Sequence, residues 1–132
     1  MLQPAFVELI PEDVEEGVLY ISRRFRTATH LCACGCGTKV VTPLKPAKWQ
    51  LTEVNGLVTL RPSIGRWQLP CKSHYWITEN QIEWARPISE PQMQEILERD
   101  AAAVRHYYAS RRRTKWIPTW LTQLWRRLTR RA

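Results

Sequence analysis

Residues 30–37 spell HLCACGCG, and residues 71–74 spell CKSH. These two stretches contain every cysteine of the chain: Cys32, Cys34, Cys36 and Cys71. Cysteine thiolate is a preferred ligand of zinc, and four thiolates complete a tetrahedral structural site. Two groups of ligands far apart in sequence would pin two loops together through the ion, which suits a small β domain. The sequence therefore predicts one structural metal site, with Zn²⁺ as the preferred ion.

The spacing within the first group is C-x-C-x-C, whereas ordinary zinc knuckles use C-x-x-C. In an extended strand, alternate residues lie about 6.6 Å apart, which is too far for thiolates around one ion. The backbone must therefore curl over residues 32–36. Gly35 and Gly37 permit such a curl, because glycine adopts backbone conformations that other residues avoid.

His30 and His74 flank the cysteines, so six candidate ligands compete for four places. A site of three ligands that included His74 would keep a water on the metal and would be catalytic. The pattern Cys71-x-x-His74-Tyr75-Trp76 is also similar to the second ligand box of Rieske iron–sulfur domains. Those domains need C-x-H in the first box, whereas this chain has the reverse order. Small buried cysteines without a metal are the remaining alternative, and the compact grouping favours the all-cysteine site.

Short β-rich segments surround the cysteines, and residues 1–16 have the composition of an acidic arm or loop. Asn55-Gly56 and Glu79-Asn80 lie between such segments and predict two hairpins. Pro62-Ser63-Ile64-Gly65 predicts a turn that breaks the pattern. The predicted strands cover residues 17–22, 26–31, 38–42, 49–53, 57–60, 74–78 and 81–85.

A different pattern begins at Ser89. Ser89 and Gln92 form a capping box, and helix formers continue to about Ser110 with apolar residues on one face. The predicted fold is therefore α+β, with a small, mostly antiparallel β zinc-binding domain and C-terminal helices. Its predicted parts are the β domain over residues 1–88, a helix and basic linker over 89–115, and a basic amphipathic helix over 116–132.

The formal net charge of +8 lies entirely in the C-terminal tail. Residues 111–132 contain eight basic side chains and no acidic one, while the other 110 residues contain 12 of each. Residues 1–110 are thus neutral, and nothing in them favours nucleic acid. The tail instead fits a membrane surface or a groove of a partner protein, or packs on its own domain. Its apolar helical face comprises Trp116, Ile117, Trp120, Leu121, Leu124, Trp125 and Leu128.

The location expected from these features is cytoplasmic, with peripheral attachment to the inner membrane through the tail. The chain has no apolar stretch of 18 residues, and its first residues lack the basic and apolar regions of a signal peptide.

Ser63 and His74 are the candidate catalytic residues. A presumed metal ligand three residues away would hold His74 rigidly, and the predicted turn would expose the Ser63 hydroxyl. The following Gly65 would let a backbone N–H approach an oxyanion. A serine and a histidine held in this way carry out acyl transfer. Ser73 is the second candidate nucleophile.

Three glutamates, Glu53, Glu79 and Glu83, are candidates to orient the imidazole, and the sequence does not choose among them. The chain has neither the G-x-S-x-G elbow of α/β-hydrolases nor the H-E-x-x-H helix of zinc proteases. Any hydrolytic chemistry would therefore use a different arrangement of residues.

Three long strings carry a family resemblance: HLCACGCGTKVVTPL, RPSIGRW followed after two residues by PCKSHYWI, and IEWA. They resemble the BubE family of bacterial ubiquitination-like operons, which also encode ubiquitin-like modifiers and E1-like and E2-like enzymes. The resemblance covers about residues 17–86. It implies a deubiquitinase-like serine peptidase that acts on a ubiquitin-like protein and its conjugates. Ser63 would be the nucleophile, His74 the base and the four cysteines the structural site. The alternative is a non-catalytic zinc-binding adaptor in the same pathway.

Overall fold

The computed structural model of the chain describes residues 1–114, which form two four-stranded sheets and one long helix. The first sheet contains β1 (Gln3–Phe6), β2 (Val18–Ser22), β3 (Thr27–Leu31) and β4 (Lys39–Pro43), adjacent in that order. The second contains β5 (Gln50–Val54), β6 (Leu57–Gly65), β7 (His74–Thr78) and β8 (Gln81–Trp84), also in chain order. Helix α1 covers Glu90–Thr114.

All strand pairs are antiparallel except β1 with β2, which is parallel. The predicted α+β class, with mostly antiparallel strands, is confirmed. Both predicted hairpins are confirmed as well: Asn55 and Gly56 have φ of 51° and 79°, and Glu79 and Asn80 have φ of 47° and 66°. Positive φ at both central residues is the requirement of the two-residue turn that matches strand twist.

One cluster of buried side chains draws on both sheets and forms the core. The backbone also joins the sheets, because Leu2 N donates a 2.7 Å hydrogen bond to Asn80 O. The shared core and this hydrogen bond thereby hold the two sheets against each other. The fully buried apolar members include Leu19, Ile21, Val40, Val58, Leu60, Ile64, Tyr75 and Ile77.

Three expectations are corrected. Residues 1–16 are not only an arm or loop, because Gln3–Phe6 pairs with Val18–Ile21 as an edge strand. The predicted turn at residues 62–65 is instead the end of β6. Residues 111–114, expected as linker, continue α1. In each case backbone pairing with a neighbour or along the helix outweighs the local composition.

Helix α1 starts as predicted, with Ser89 N donating to Gln92 Oε1 at 2.9 Å. Its predicted apolar face packs only in part: Met93 is buried, whereas Leu97 and Tyr108 are exposed. No helix within residues 1–114 is both long and apolar enough to cross a membrane. The amphipathic helix expected over 116–132 lies outside the described residues.

Candidate functional site

The four cysteine sulfurs lie together, all within 4.8 Å of one another. Cys32 is buried, Cys71 is half-buried, and Cys34 and Cys36 are exposed. A tetrahedral zinc site with Zn–S bonds of about 2.3 Å has sulfurs about 3.8 Å apart, so small movements of exposed side chains would complete it. These cysteines could therefore hold one metal ion, as the sequence predicted.

The loop between β3 and β4 brings three of the cysteines to one point. Gly35 and Gly37 have φ of 81° and 72°, in the left-handed region that favours glycine. Gly35 N donates to Cys32 O at 3.0 Å, and Cys32 N donates to Thr38 O at 2.8 Å. The curl expected at these two glycines is confirmed.

Two hydroxyl groups, those of Ser73 and Thr38, form hydrogen bonds with the sulfurs. Ser73 Oγ lies 3.0 Å from Cys32 Sγ and 3.5 Å from Cys71 Sγ, and its hydrogen bond lowers the pKa of Cys71. The Thr38 hydroxyl lowers the pKa of Cys36 to about 6. Both interactions favour thiolate, the form in which cysteine binds metals.

Cys34 shows the opposite shift in the absence of a cation. The hydrogen bond with Cys36 raises the pKa of Cys34 to about 12, because neighbouring thiols that share a proton resist a second ionisation. A divalent cation would displace that proton and allow both sulfurs to be thiolates. The donor set thus has the chemistry of a site built for a cation.

His30 lies in the core and not among the four sulfurs. Its Nε2 forms a 2.8 Å hydrogen bond with Tyr75 OH. Burial, followed by the charge of Arg66, lowers the pKa of His30 to about 4, so the ring is neutral at pH 7. The bond connects β3 of the first sheet to β7 of the second, directly beside the cysteine loop.

Ser63 and His74 are in contact, with 2.9 Å between Ser63 Oγ and His74 Nε2. They lie on adjacent strands, where β6 contains a bulge. Leu60 pairs with Ile77 and Ile64 pairs with Tyr75. Between these two pairs, β6 has three residues and β7 has one, so β6 contains two extra residues. Ser63 is one of the extra residues, and the bulge aims its hydroxyl at the neighbouring strand. Bulges of this kind commonly redirect a side chain next to an active site.

Arg61 holds the other end of the bulge. Its guanidinium donates 3.0 Å hydrogen bonds to the carbonyl oxygens of Leu60 and Ile77 and a 2.8 Å bond to Thr78 Oγ1. A charged donor thereby links the backbones of β6 and β7 at the bulge. The position of Ser63 is thus fixed by strand structure on both sides.

His74 is half-buried, and burial lowers its pKa from the ordinary value. Within residues 1–114, nothing hydrogen-bonds to its buried Nδ1. None of the three candidate glutamates orients it: Glu53 accepts from Arg23 at 2.6 Å, Glu83 accepts from Thr78 at 2.9 Å, and Glu79 forms no hydrogen bond with the imidazole. Ser73, the second candidate nucleophile, is bonded to sulfurs and not to His74.

Residues around the imidazole were not identified from the sequence. The Trp67 and Trp76 rings lie against His74, with centroids 4.6 Å and 5.5 Å from it. Trp76 shares a face of β7 with His74 because side chains alternate along a strand, which is a signal the sequence offered. Trp67 lies two residues after the end of β6, in a loop whose path no sequence pattern predicts. That path places the indole beside His74.

Two cavities flank the serine–histidine pair, and α1 lines both. The cavity beside His74 has a volume of about 380 Å³ and is also lined by Trp67 and Met93. The cavity beside Ser63 has a volume of about 100 Å³ and is also lined by Trp49 and Val104. Met93 and Val104 are 11 residues apart, or about 16 Å along a helix. Helix α1 thus runs past the pair from one cavity to the other.

Residues 6–85, more than half of the chain, match the model of one protein family, described as "Bacterial ubiquitination-like system serine protease (BubE)". The chain belongs to the BubE family. The match includes all four cysteines, Ser63 and His74, and it ends before α1. No curated protein and no solved structure matches the chain. The resemblance noted in the sequence is therefore confirmed, with a protease of a bacterial ubiquitination-like system as the family's described activity.

Proposed function

We propose that this BubE-family chain is a peptidase that trims a ubiquitin-like protein or releases it from conjugates, with Ser63 as nucleophile and His74 as base. The observation that carries the proposal is the 2.9 Å contact between Ser63 Oγ and His74 Nε2. That distance allows direct proton transfer, and the family description supplies the class of reaction.

The reaction proceeds in two steps of acyl transfer. Ser63 Oγ attacks the substrate carbonyl while its proton passes to His74 Nε2, and the imidazolium then protonates the leaving group as the scissile bond breaks. Water next attacks the acyl–serine ester and gives a proton to His74 Nε2. The imidazolium returns that proton to Ser63 Oγ as the ester bond breaks, which releases the carboxylic acid and restores free Ser63. Burial keeps the imidazole neutral, so it is ready to accept the first proton at pH 7.

The metal of the four cysteines is, in this proposal, a structural Zn²⁺. Four thiolates leave no open position for water or substrate, which is the pattern of structural zinc sites. The ion would join the loop at residues 32–36 to Cys71, three residues before His74. Its contribution is then to fix the segment that leads into β7, and the proton transfers belong to Ser63 and His74.

The proposed partners follow from the family description. The description of a ubiquitination-like system supports a ubiquitin-like protein as substrate. The family resemblance adds its precursor and its conjugates with E1-type and E2-type enzymes as the proposed forms. Attachment of residues 116–132 to a membrane surface or to a partner groove remains a prediction from the sequence.

The test is cleavage of a ubiquitin-like precursor encoded in the same operon by purified protein. Ser63→Ala removes the nucleophile, so cleavage should fall by at least about 1,000-fold, while bound metal and melting temperature are unchanged. Mass spectrometry of the product and native mass spectrometry of the enzyme give the two readouts. Ser110→Ala, an exposed serine on α1, is the matched control and should cleave normally.

Normal cleavage by Ser63→Ala would remove Ser63 from the mechanism. If a chelator abolished that remaining cleavage, the metal would be the catalytic group. An inert wild-type protein that still bound the ubiquitin-like protein would support the adaptor function instead.

A further inference from the structure

The imidazole of His74 lies between two tryptophans. Its ring centroid is 4.6 Å from that of Trp67, at an interplanar angle of 62°, and 5.5 Å from that of Trp76, at 40°. Both tryptophans are half-buried. A ring packed on two sides has little freedom to turn away from Ser63, which fixes the direction of its Nε2.

Gly65 explains how Trp67 reaches this position. Gly65 pairs with His74 across β6 and β7. A Cβ placed at residue 65 would lie 2.5 Å from the Cε2 and Nε1 atoms of Trp67, closer than real Cβ contacts allow. The indole therefore rests on the bare backbone of Gly65. Unlike Gly35 and Gly37, this glycine is needed for space and not for a left-handed conformation.

The packing around His74 bears on how the imidazole is oriented for proton transfer. Serine peptidases commonly use a carboxylate to orient the imidazole and to stabilise the imidazolium that forms after proton transfer. Among residues 1–114 no group hydrogen-bonds to Nδ1 of His74. The Trp67 ring lies 4.6 Å from the imidazole in a T-shaped contact and limits the directions that the imidazole can take.

We infer that Trp67 is a positioning residue for His74, and that residue 65 is glycine because the indole occupies the space of its side chain. The inference rests on the proposed Ser63–His74 mechanism. Trp67 acts through the imidazole: it holds Nε2 toward Ser63 Oγ.

The experiment uses the full chain and two readouts. The first is the rate at which a fluorophosphonate labels Ser63, which reports activation of the hydroxyl without any protein substrate. The second is kcat and KM for the ubiquitin-like precursor. In Trp67→Ala, labelling and kcat should both fall roughly 10- to 100-fold while KM stays within about twofold, because misplacement of a reacting group costs about that much. Trp67→Phe, which keeps an aromatic ring, should recover much of the loss.

Gly65→Ala provides an independent test, because it displaces an intact Trp67. It should lower labelling as Trp67→Ala does, and the double variant should be no worse than Trp67→Ala alone, since both changes act through one contact. Phe6→Ala, which truncates an exposed ring on β1 in the other sheet, is the control and should label at the wild-type rate.

The outcomes separate the two proposals. If wild-type Ser63 is neither labelled nor needed for cleavage, the proposed function fails whatever Trp67 does. If wild-type Ser63 is labelled and Trp67→Ala matches its rate with normal metal content, the positioning role is wrong. Should Trp67→Ala fail to fold, Gly65→Ala decides, and a wild-type labelling rate in that variant overturns the inference.

Discussion

The cysteine cluster and the serine–histidine pair are only three residues apart at Cys71 and His74, yet they are built in opposite ways. The cysteines of the cluster lie in loops, and two of them are exposed. The hydrogen bond with Cys36 raises the pKa of Cys34, so this second thiol ionises less readily. The pair lies on adjacent strands, fixed by a bulge and by backbone pairing. A bound ion would therefore complete the geometry of the cluster, whereas the geometry of the pair depends on the sheet.

Replacing Cys71 should have the largest effect, because it tests whether the pair can survive without the cluster. Cys71→Ala removes the only ligand outside the first loop, so the ion should be lost and the melting temperature should fall by at least about 10 °C. Cleavage should fall with it, since residues 71–73 lead directly into β7. Native mass spectrometry, calorimetry and the precursor assay measure the three quantities. Full cleavage by a metal-free variant would show that the pair is independent of the cluster.

The pH profile tests the pair alone. Burial lowers the pKa of His74, so the imidazole loses its proton at a lower pH than an ordinary histidine and stays neutral at pH 7. The specificity constant kcat/KM should therefore be constant from pH 7 to 8 and decrease at lower pH. The midpoint of that decrease should lie below pH 6.5. Bound metal measured at each pH separates this loss from release of the ion in acid. A midpoint at or above 6.5 would contradict the assigned base.

A smaller effect is expected at Ser73, which bonds to the cluster but not to the imidazole. Ser73→Ala removes the hydroxyl from two sulfurs, and loss of such a partner weakens metal binding by roughly 10- to 100-fold. With metal in excess, cleavage should remain within about threefold of wild type. Competition with a chromogenic chelator gives the affinity. A loss of cleavage as large as that of Ser63→Ala would return Ser73 to consideration as the nucleophile.

Sequence reasoning found the hairpins because their signals are local, and it found the cluster because metal chemistry joins two local cysteine groups. Cysteine spacing, glycines at 35 and 37, and Asn55-Gly56 each specify chemistry or backbone conformation within a few residues. Ser63 and His74 were selected, but the predicted turn around Ser63 was wrong. A bulge is a mismatch between two strands, and composition along one strand does not reveal it.

Other features were missed for related reasons. The strand Gln3–Phe6 pairs through its backbone with Val18–Ile21, and its short sequence contains a proline that local propensity counts against a strand. The contact between Trp67 and His74 depends on the path of residues 66–73, which has no repeating pattern. The apolar periodicity of α1 was genuine, but it could not reveal how little of that face the β domain covers.

The position of α1 has a consequence for the substrate. With the helix running alongside Ser63 and His74, a polypeptide bound as proposed would meet unequal space on its two sides. The Ser63 side offers about 100 Å³, bounded by Trp49 and Val104, whereas the His74 side offers about 380 Å³. In the proposed mechanism, these volumes would favour a small residue on the Ser63 side and a bulkier chain beyond His74. A segment outside the matched family region thus lines the space on both sides of the proposed catalytic pair.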